Sequence, residues 1–173
     1  MRNIIIIIWL MNALIVQSQT DMVTLLNFPV GGTWLSENIQ NDGKPNSFAA
    51  FSMQFKTWSS ESSVLGNIYG IKNNGDTIQL MEVWNFIEPD GKSAFLVQRA
   101  SWGGRSVGSV VPYEGTHLDI QFKSTSDIGD EYFTRDIHYV ISKNEMKSVS
   151  YHKRNEDNEW QLAGESIWKR KEL

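Results

Sequence analysis

The triplet Gly32-Thr33-Trp34 opens a region of short segments that continues to Lys171 and decides the fold. Within these segments apolar and polar residues alternate with a period of two, and β-branched and aromatic residues are frequent. This pattern is typical of strands with one buried face. We predict strands at positions 32–39, 47–58, 63–72, 76–87, 93–101, 105–113, 116–124, 131–142, 145–153 and 159–170.

Turn signals separate the predicted strands at short, regular intervals, as in Asn73-Asn74-Gly75 and Glu88-Pro89-Asp90-Gly91. Glycine supplies positive φ, proline fixes φ, and Asn and Asp tolerate the left-handed region, so these clusters favour tight hairpins. Only positions 21–28 favour a helix, with Thr20 or Asp21 as the N-cap and Pro29 ending it.

Ten antiparallel strands form either two packed sheets or a closed barrel, and closure removes the exposed edges. We therefore predict an all-β protein, a single antiparallel up-and-down barrel of about 8–10 strands with a short N-terminal helix. A barrel of this size has room for one small ligand, so its lumen is the expected binding site.

Residues 1–18 have the pattern of a signal peptide, with Arg2, an apolar run from Ile4 to Val16, and cleavage expected after Ser18. The run is too short to span a bilayer, so no membrane span is expected after its removal. The predicted product is one domain, 19–173, exported by a bacterium to the periplasm or the medium.

Composition excludes several classes of function. The chain has 16 basic and 20 acidic residues and no cysteine. The balance argues against nucleic acid as a partner, and the lack of cysteine excludes disulfides and a lipid-modified N-terminal cysteine. No serine-hydrolase elbow, zinc-protease helix or phosphate-binding loop is found, so no catalytic residue is assigned.

The Gly32-Thr33-Trp34 triplet, the meander of short strands and the final Ile167-Trp168-Lys169-Arg170 resemble the calycin superfamily of lipocalins, fatty-acid-binding proteins and nitrobindin-type barrels. The resemblance implies that Trp34 closes one end of the barrel and that Lys169 or Arg170 packs across its indole. Such a contact combines cation–π attraction with burial of an alkyl stem.

Departures from this pattern narrow the resemblance. Positions 36–46 form a polar turn without room for the helix pair of fatty-acid-binding proteins. The chain is most similar to bacterial exported lipocalin-like domains without an assigned function. Nitrobindin-type relatives hold haem through histidine, but His117, His138 and His152 lie in no specific motif, so no cofactor or metal is predicted.

Aromatic residues offer two interpretations. The chain has seven tryptophans. Those after the predicted leader either fill the barrel or stack on a sugar or apolar ligand; they are Trp34, Trp58, Trp84, Trp102, Trp160 and Trp168. The segment from Ser101 to Ser106, with Trp102, is either a rim loop that contacts the ligand or a long hairpin turn.

Charged residues in apolar rows are the other candidates. Glu82 lies among large apolar residues, and an inward Glu82 and Arg99 would form a structural pair or an anchor for a ligand carboxylate. Arg135 also lies in an apolar row. Asp136 and His138 share the opposite face, either as an exposed pair or as an oriented general base.

The leading hypothesis is a barrel that binds a small lipophilic or aromatic molecule, whether lipid, aromatic or glycan. The predicted ligand-binding residues are Glu82, Trp84, Arg99, Trp102, Arg135 and His138, and the predicted barrel-closing residues are Trp34 and Arg170. The alternative is a calycin-type enzyme that uses acid and base groups of the lumen on a small hydrophobic or sugar-derived substrate.

Overall fold

A computed structural model describes residues 21–171 and shows one short helix followed by ten strands. The helix is α1 (Met22–Asn27). The strands are β1 (Thr33–Glu37), β2 (Phe48–Thr57), β3 (Ser63–Lys72), β4 (Thr77–Ile87), β5 (Ala94–Ala100), β6 (Arg105–Tyr113), β7 (His117–Thr125), β8 (Glu131–Ser142), β9 (Glu145–Lys153) and β10 (Gln161–Lys171). The predicted leader lies outside the described residues.

The ten strands form a closed antiparallel barrel, so the predicted fold class is confirmed. Each strand pairs with its neighbours in sequence, and β1 closes the ring by pairing with both β2 and β10. In the closing register Trp34 lies between Met53 on β2 and Arg170 on β10. The predicted strand positions agree with the observed ones because tight turns divide the chain at each hairpin.

The predicted helix is also confirmed, with Asp21 as its N-cap. An Asp21 carboxylate oxygen accepts a hydrogen bond from the backbone N–H of Thr24 at 2.7 Å, which satisfies one of the free N–H groups of the first turn. Its apolar residues Met22, Leu25 and Leu26 are buried at one end of the barrel. In the described range no helix is long and apolar enough to cross a membrane.

The end of the barrel that carries α1 holds the two buried clusters. In one, helix residues pack on strand residues such as Val64, Leu96 and Val110. In the other, Trp34 contacts Met53, Met146 and Trp168. The apolar interior is therefore concentrated at the α1 end.

A glycine permits close packing between two neighbouring strands, β2 and β3. The ring of Phe55 lies directly over Gly66 on the neighbouring strand, where a Cβ atom would clash with the ring. The space that glycine leaves lets a phenyl ring lie flat against the sheet instead of extending across the lumen.

A bulge at Leu80 interrupts the alternation of β4. Ile68 pairs with Met81 and Tyr69 pairs with Gln79, so Leu80 has no partner on β3. Gln79 and Glu82, which strict alternation places on opposite faces, are joined by a hydrogen bond of 3.2 Å. One extra residue thus reverses the faces of the strand beyond it.

Candidate functional site

A cavity of about 180 Å³ lies inside the barrel, next to α1. Leu26 and Pro29 close it at the helix end, and Trp168 contributes an indole ring. The other lining residues belong to the strands and are Met53, Phe55, Val64, Ile68, Val83, Asn85, Leu96, Gln98, Val110, Leu118, Ile120, Asp136, His138, Ser148, Ser150 and Ser166.

The two walls of this cavity differ in chemistry. The wall from β3 to β7 is mainly aliphatic, with Val83, Leu96 and Val110 among its residues. The wall from β8 to β10 carries the indole of Trp168, and its other residues are polar: Asp136, His138, Ser148, Ser150 and Ser166. A ligand that fits this cavity is therefore amphipathic, with an apolar side and a polar side.

Asp136 is the acidic group of the polar wall. Removal from water raises the pKa of its carboxyl group to about 6, against the lowering effect of a hydrogen bond from Ser150. Its Oδ1 atom is buried and has no hydrogen-bond partner. At neutral pH the cavity thus contains a carboxylate whose hydrogen-bonding capacity is incompletely used.

His138 lies two residues farther along β8, on the same face. Burial lowers the pKa of its imidazole to about 4, so the ring is neutral at pH 7. A neutral imidazole offers one donor and one acceptor and no positive charge. His138 therefore does not neutralise Asp136 in the physiological pH range.

Two further buried polar atoms of the lining are unpartnered: the Oδ1 of Asn85 and the hydroxyl of Ser148. Elsewhere in the interior a comparable pair is satisfied, since the hydroxyls of Ser106 and Ser124 lie 2.8 Å apart. Buried polar atoms normally have partners. Three of the five unpartnered buried side-chain atoms in the described residues line this cavity, so its wall offers free hydrogen-bonding groups to the lumen.

The base of the barrel joins the first and last strands. The guanidinium carbon of Arg170 lies 4.7 Å from the centre of the Trp34 ring, and Arg170 also donates a hydrogen bond to the carbonyl of Phe28. The indole N–H of Trp34 donates to the carbonyl of Pro29 at 2.9 Å. The structure thus places Arg170, and not Lys169, over the fully buried Trp34.

The structure corrects the predicted inward orientation of Glu82 and Arg99. They lie directly opposite each other on β4 and β5, and both face outward, because their neighbours Val83 and Gln98 line the cavity. The prediction was wrong because the large aromatic side chains of Trp84 and Phe86, in the row of Glu82, pack with Trp58 on the outer surface. Trp84, in the same row as Glu82, is likewise outside the lumen and 38% exposed.

Arg135 also lies outside the lumen, on the outer face of β8. Its guanidinium donates to both carboxylate oxygens of Asp119, with an Nη2–Oδ2 distance of 2.7 Å. Gln121 donates to the same carboxylate. Arg135 is therefore engaged in a structural ion pair. The interpretation of Asp136 and His138 as an exposed pair was wrong, because both side chains line the cavity.

Trp102 lies in the turn between β5 and β6, at the end of the barrel opposite α1, and is 57% exposed. The cavity lining does not include it. Of the six predicted ligand-binding residues, the structure places His138 alone at the cavity; Glu82, Trp84, Arg99, Trp102 and Arg135 lie on the outside.

Several tryptophans do not fill the barrel. Trp58 is 56% exposed, and its ring centre lies 5.4 Å from that of Trp84 and 5.9 Å from that of Phe86. These three rings form an aromatic cluster on the outer surface. Among the described residues, the buried indoles are those of Trp34 and Trp168.

The sequence reasoning missed Asn85, Ser148, Ser150 and Ser166 as cavity residues. The available signal was the alternation of β9, in which Ser148 and Ser150 occupy the same face as Met146. Small hydroxyl residues in an inward row leave space and hydrogen-bonding groups. The signal is weak because serine is equally common on solvent-facing rows.

In the described part of the chain no three His, Asp or Glu side chains are grouped to hold a metal ion. No family model matches this chain, and no curated protein matches it in sequence.

Proposed function

We propose that this protein is an exported barrel of the calycin type that binds a small lipophilic or aromatic ligand in its lumen. The observation that supports this is the cavity beside α1, with an aliphatic wall, a polar wall and three unpartnered buried polar atoms. The Trp34–Arg170 contact at the base agrees with the same family resemblance. The bacterial periplasm or medium is the proposed location.

The size of the cavity narrows the ligand. At about 180 Å³ it is close to an engineered protein cavity of roughly 150 Å³ that takes up benzene. A single ring with a short substituent fits this space, whereas haem or a long-chain lipid exceeds it. Among lipid, aromatic and glycan ligands, the cavity therefore favours a small aromatic molecule.

The fluorescence of Trp168 tests whether ligands bind in the lumen, because its indole lines the cavity. We expect small aromatic ligands to change the tryptophan fluorescence of the protein, and a fatty acid, haem and a set of sugars to change it less. The substitution Trp168→Phe should remove the response, whereas Trp102→Phe, at an exposed position, should retain it. No response to any compound in the panel would contradict the proposal.

A second candidate is an enzyme that uses Asp136 and His138, because their pKa values of about 6 and about 4 leave a carboxylate and a neutral imidazole in one cavity at pH 7. Such groups serve as general bases. If a ligand is turned over, and if Asp136→Asn and His138→Ala each abolish this turnover while the ligand still binds, an enzyme is favoured over a simple binding protein.

A further inference from the structure

The polar wall of the cavity has a specific electrostatic character. Asp136 is its acidic group, His138 is neutral at pH 7, and none of the described lining residues is a lysine or an arginine. The lining atoms without partners are the carboxylate Oδ1 of Asp136 and the hydroxyl of Ser148 in this wall, and the amide Oδ1 of Asn85 in the other wall. The two Oδ1 atoms accept only, and the hydroxyl accepts as well as donates. The missing partner is therefore a donor, and a positive charge matches it.

We infer that the ligand of this cavity is a small aromatic molecule with a primary ammonium group, which pairs with Asp136, an inference that rests on the proposed function of the lumen. An ammonium group supplies three N–H donors and the charge that the cavity lacks. A hydrogen bond between two charged groups is shorter and stronger than one between neutral groups.

The positions of the acceptors suit one ammonium group. In the β8–β9 register Asp136 pairs with Ser150 and His138 pairs with Ser148. Asp136 and Ser148 are thus diagonal neighbours on one face, about 7 to 8 Å apart at their Cα atoms. An ammonium nitrogen between their side chains can donate to both, and the aromatic ring then lies toward Trp168 and the aliphatic wall.

The same geometry disfavours other ligand charges. A ligand carboxylate would place a second negative charge beside Asp136 in a region shielded from water, where like charges repel strongly. A neutral ligand would leave the carboxylate without a counter-charge. Discrimination by charge at constant ring size is therefore the distinguishing property of an amine site.

Isothermal titration calorimetry with three matched probes tests this inference at pH 7.5, where Asp136 is ionised. Benzylamine, benzyl alcohol and benzoate share one ring and one small substituent and differ in charge. We expect benzylamine to bind at least about tenfold more tightly than benzyl alcohol, and benzoate to bind most weakly.

Two aspartate variants provide the matched comparison. Asp136→Asn should weaken benzylamine binding by about 10- to 100-fold and change benzyl alcohol binding by less than about threefold. Asp119→Asn makes the same chemical change in a buried carboxylate on the outer face, and should leave the affinities for all three probes unchanged. Ser148→Ala, a smaller change, should weaken benzylamine binding by about two- to tenfold.

The outcomes separate this inference from the proposed function. Benzyl alcohol binding as tightly as benzylamine, or benzylamine binding unaffected by both Asp136→Asn and Ser148→Ala, would overturn the amine class and leave a ligand-binding lumen. Failure of all three probes to bind the wild-type protein, when another small aromatic compound quenches Trp168, would overturn the amine class alone. Failure of every compound in both experiments would overturn both.

Discussion

Two carboxylates lie on adjacent strands of this barrel, on opposite faces of the sheet and in opposite states of pairing. Asp119 faces outward and accepts hydrogen bonds from Arg135 and Gln121. Asp136, whose partner in the β7–β8 register is Ile120, faces the lumen and has one unpartnered oxygen. The first carboxylate is completed by the protein itself, and the second is not.

The difference separates a charge that is paired within the protein from one that has no counter-charge. A buried carboxylate with no counter-charge destabilises the fold, and an apolar residue in its place normally does not. Its presence in a cavity wall, beside other unpartnered polar atoms, is what the proposed amine site requires. The paired Asp119 needs no such explanation.

Breaking the outer pair should have the largest destabilising effect. Arg135→Met leaves Asp119 buried without its counter-charge, and we expect a loss of about 3 kcal/mol in the free energy of unfolding, measured with urea at pH 7. The double variant Asp119→Leu with Arg135→Met should recover most of this loss. A loss below about 1 kcal/mol in the single variant would contradict the assignment of a structural pair.

Removing the charge of Asp136 should stabilise the protein, which is opposite to the effect of breaking the outer pair. The unfolded carboxyl group loses its proton near pH 4 and the folded one at about pH 6, so the folded state binds more protons in this window and its stability falls as the pH rises through it. Asp136→Asn should therefore raise the free energy of unfolding at pH 8 by about 3 kcal/mol and change it little at pH 4.

Urea unfolding at the two pH values measures this effect. Asp119→Asn is the control, and it should destabilise the protein at pH 8. If Asp136→Asn destabilised the protein at pH 8 as Asp119→Asn does, the contrast between the two carboxylates would be lost.

His138 should contribute a smaller effect below neutral pH. Its pKa is lowered to about 4 in the folded state, so the stability it permits is fully present above pH 6.5 and is lost as the pH falls toward 4. Asp136 acts in the opposite direction over part of this range. His138→Gln should therefore make the protein more stable than wild type by about 2 to 3 kcal/mol at pH 4.5, relative to their difference at pH 8.

Thermal unfolding of both proteins between pH 4 and pH 8 would show this change. Parallel curves for the variant and the wild type would mean that the imidazole titrates normally in the folded state.

The smallest expected effect is a change in the pKa of the Asp136 carboxyl group. Ser150→Ala removes the hydrogen bond that lowers the pKa of Asp136, so the pKa should rise above its wild-type value. A carbon-13 NMR titration of the Asp136 carboxyl group measures this directly, with Ser166→Ala as a control at another lining position. An unchanged titration in Ser150→Ala would show that desolvation alone sets the pKa of Asp136 and that the Ser150 hydrogen bond does not contribute.

Local signals predicted the fold well. Turn residues divided the chain into its ten strands, and the N-cap and Pro29 bounded the helix. These signals act over a few residues, where backbone conformation depends mainly on the residues present. The family resemblance, and not these local signals, predicted the contact between Trp34 and Arg170, which the closing register brings together.

The site was predicted poorly because alternation divides a strand into two faces without indicating which is inside. On β4 the apolar side chains of Trp84 and Phe86 suggested the interior, yet Asn85 lines the cavity and Trp84 contacts Trp58 on the surface. On β8 Arg135 was grouped with apolar neighbours, and its partner Asp119 lies on another strand, about 16 positions earlier in the chain.

The sequence by itself determined the strands, the turns and the capped helix, because these depend on residue types over short distances. Only the tertiary structure decided which side of each strand encloses the lumen. That choice depends on the curvature of the whole sheet and on pairing across strands, and it brought Asp136, His138 and Ser148 to one wall. The same curvature placed the paired Asp119 and Arg135 on the outside.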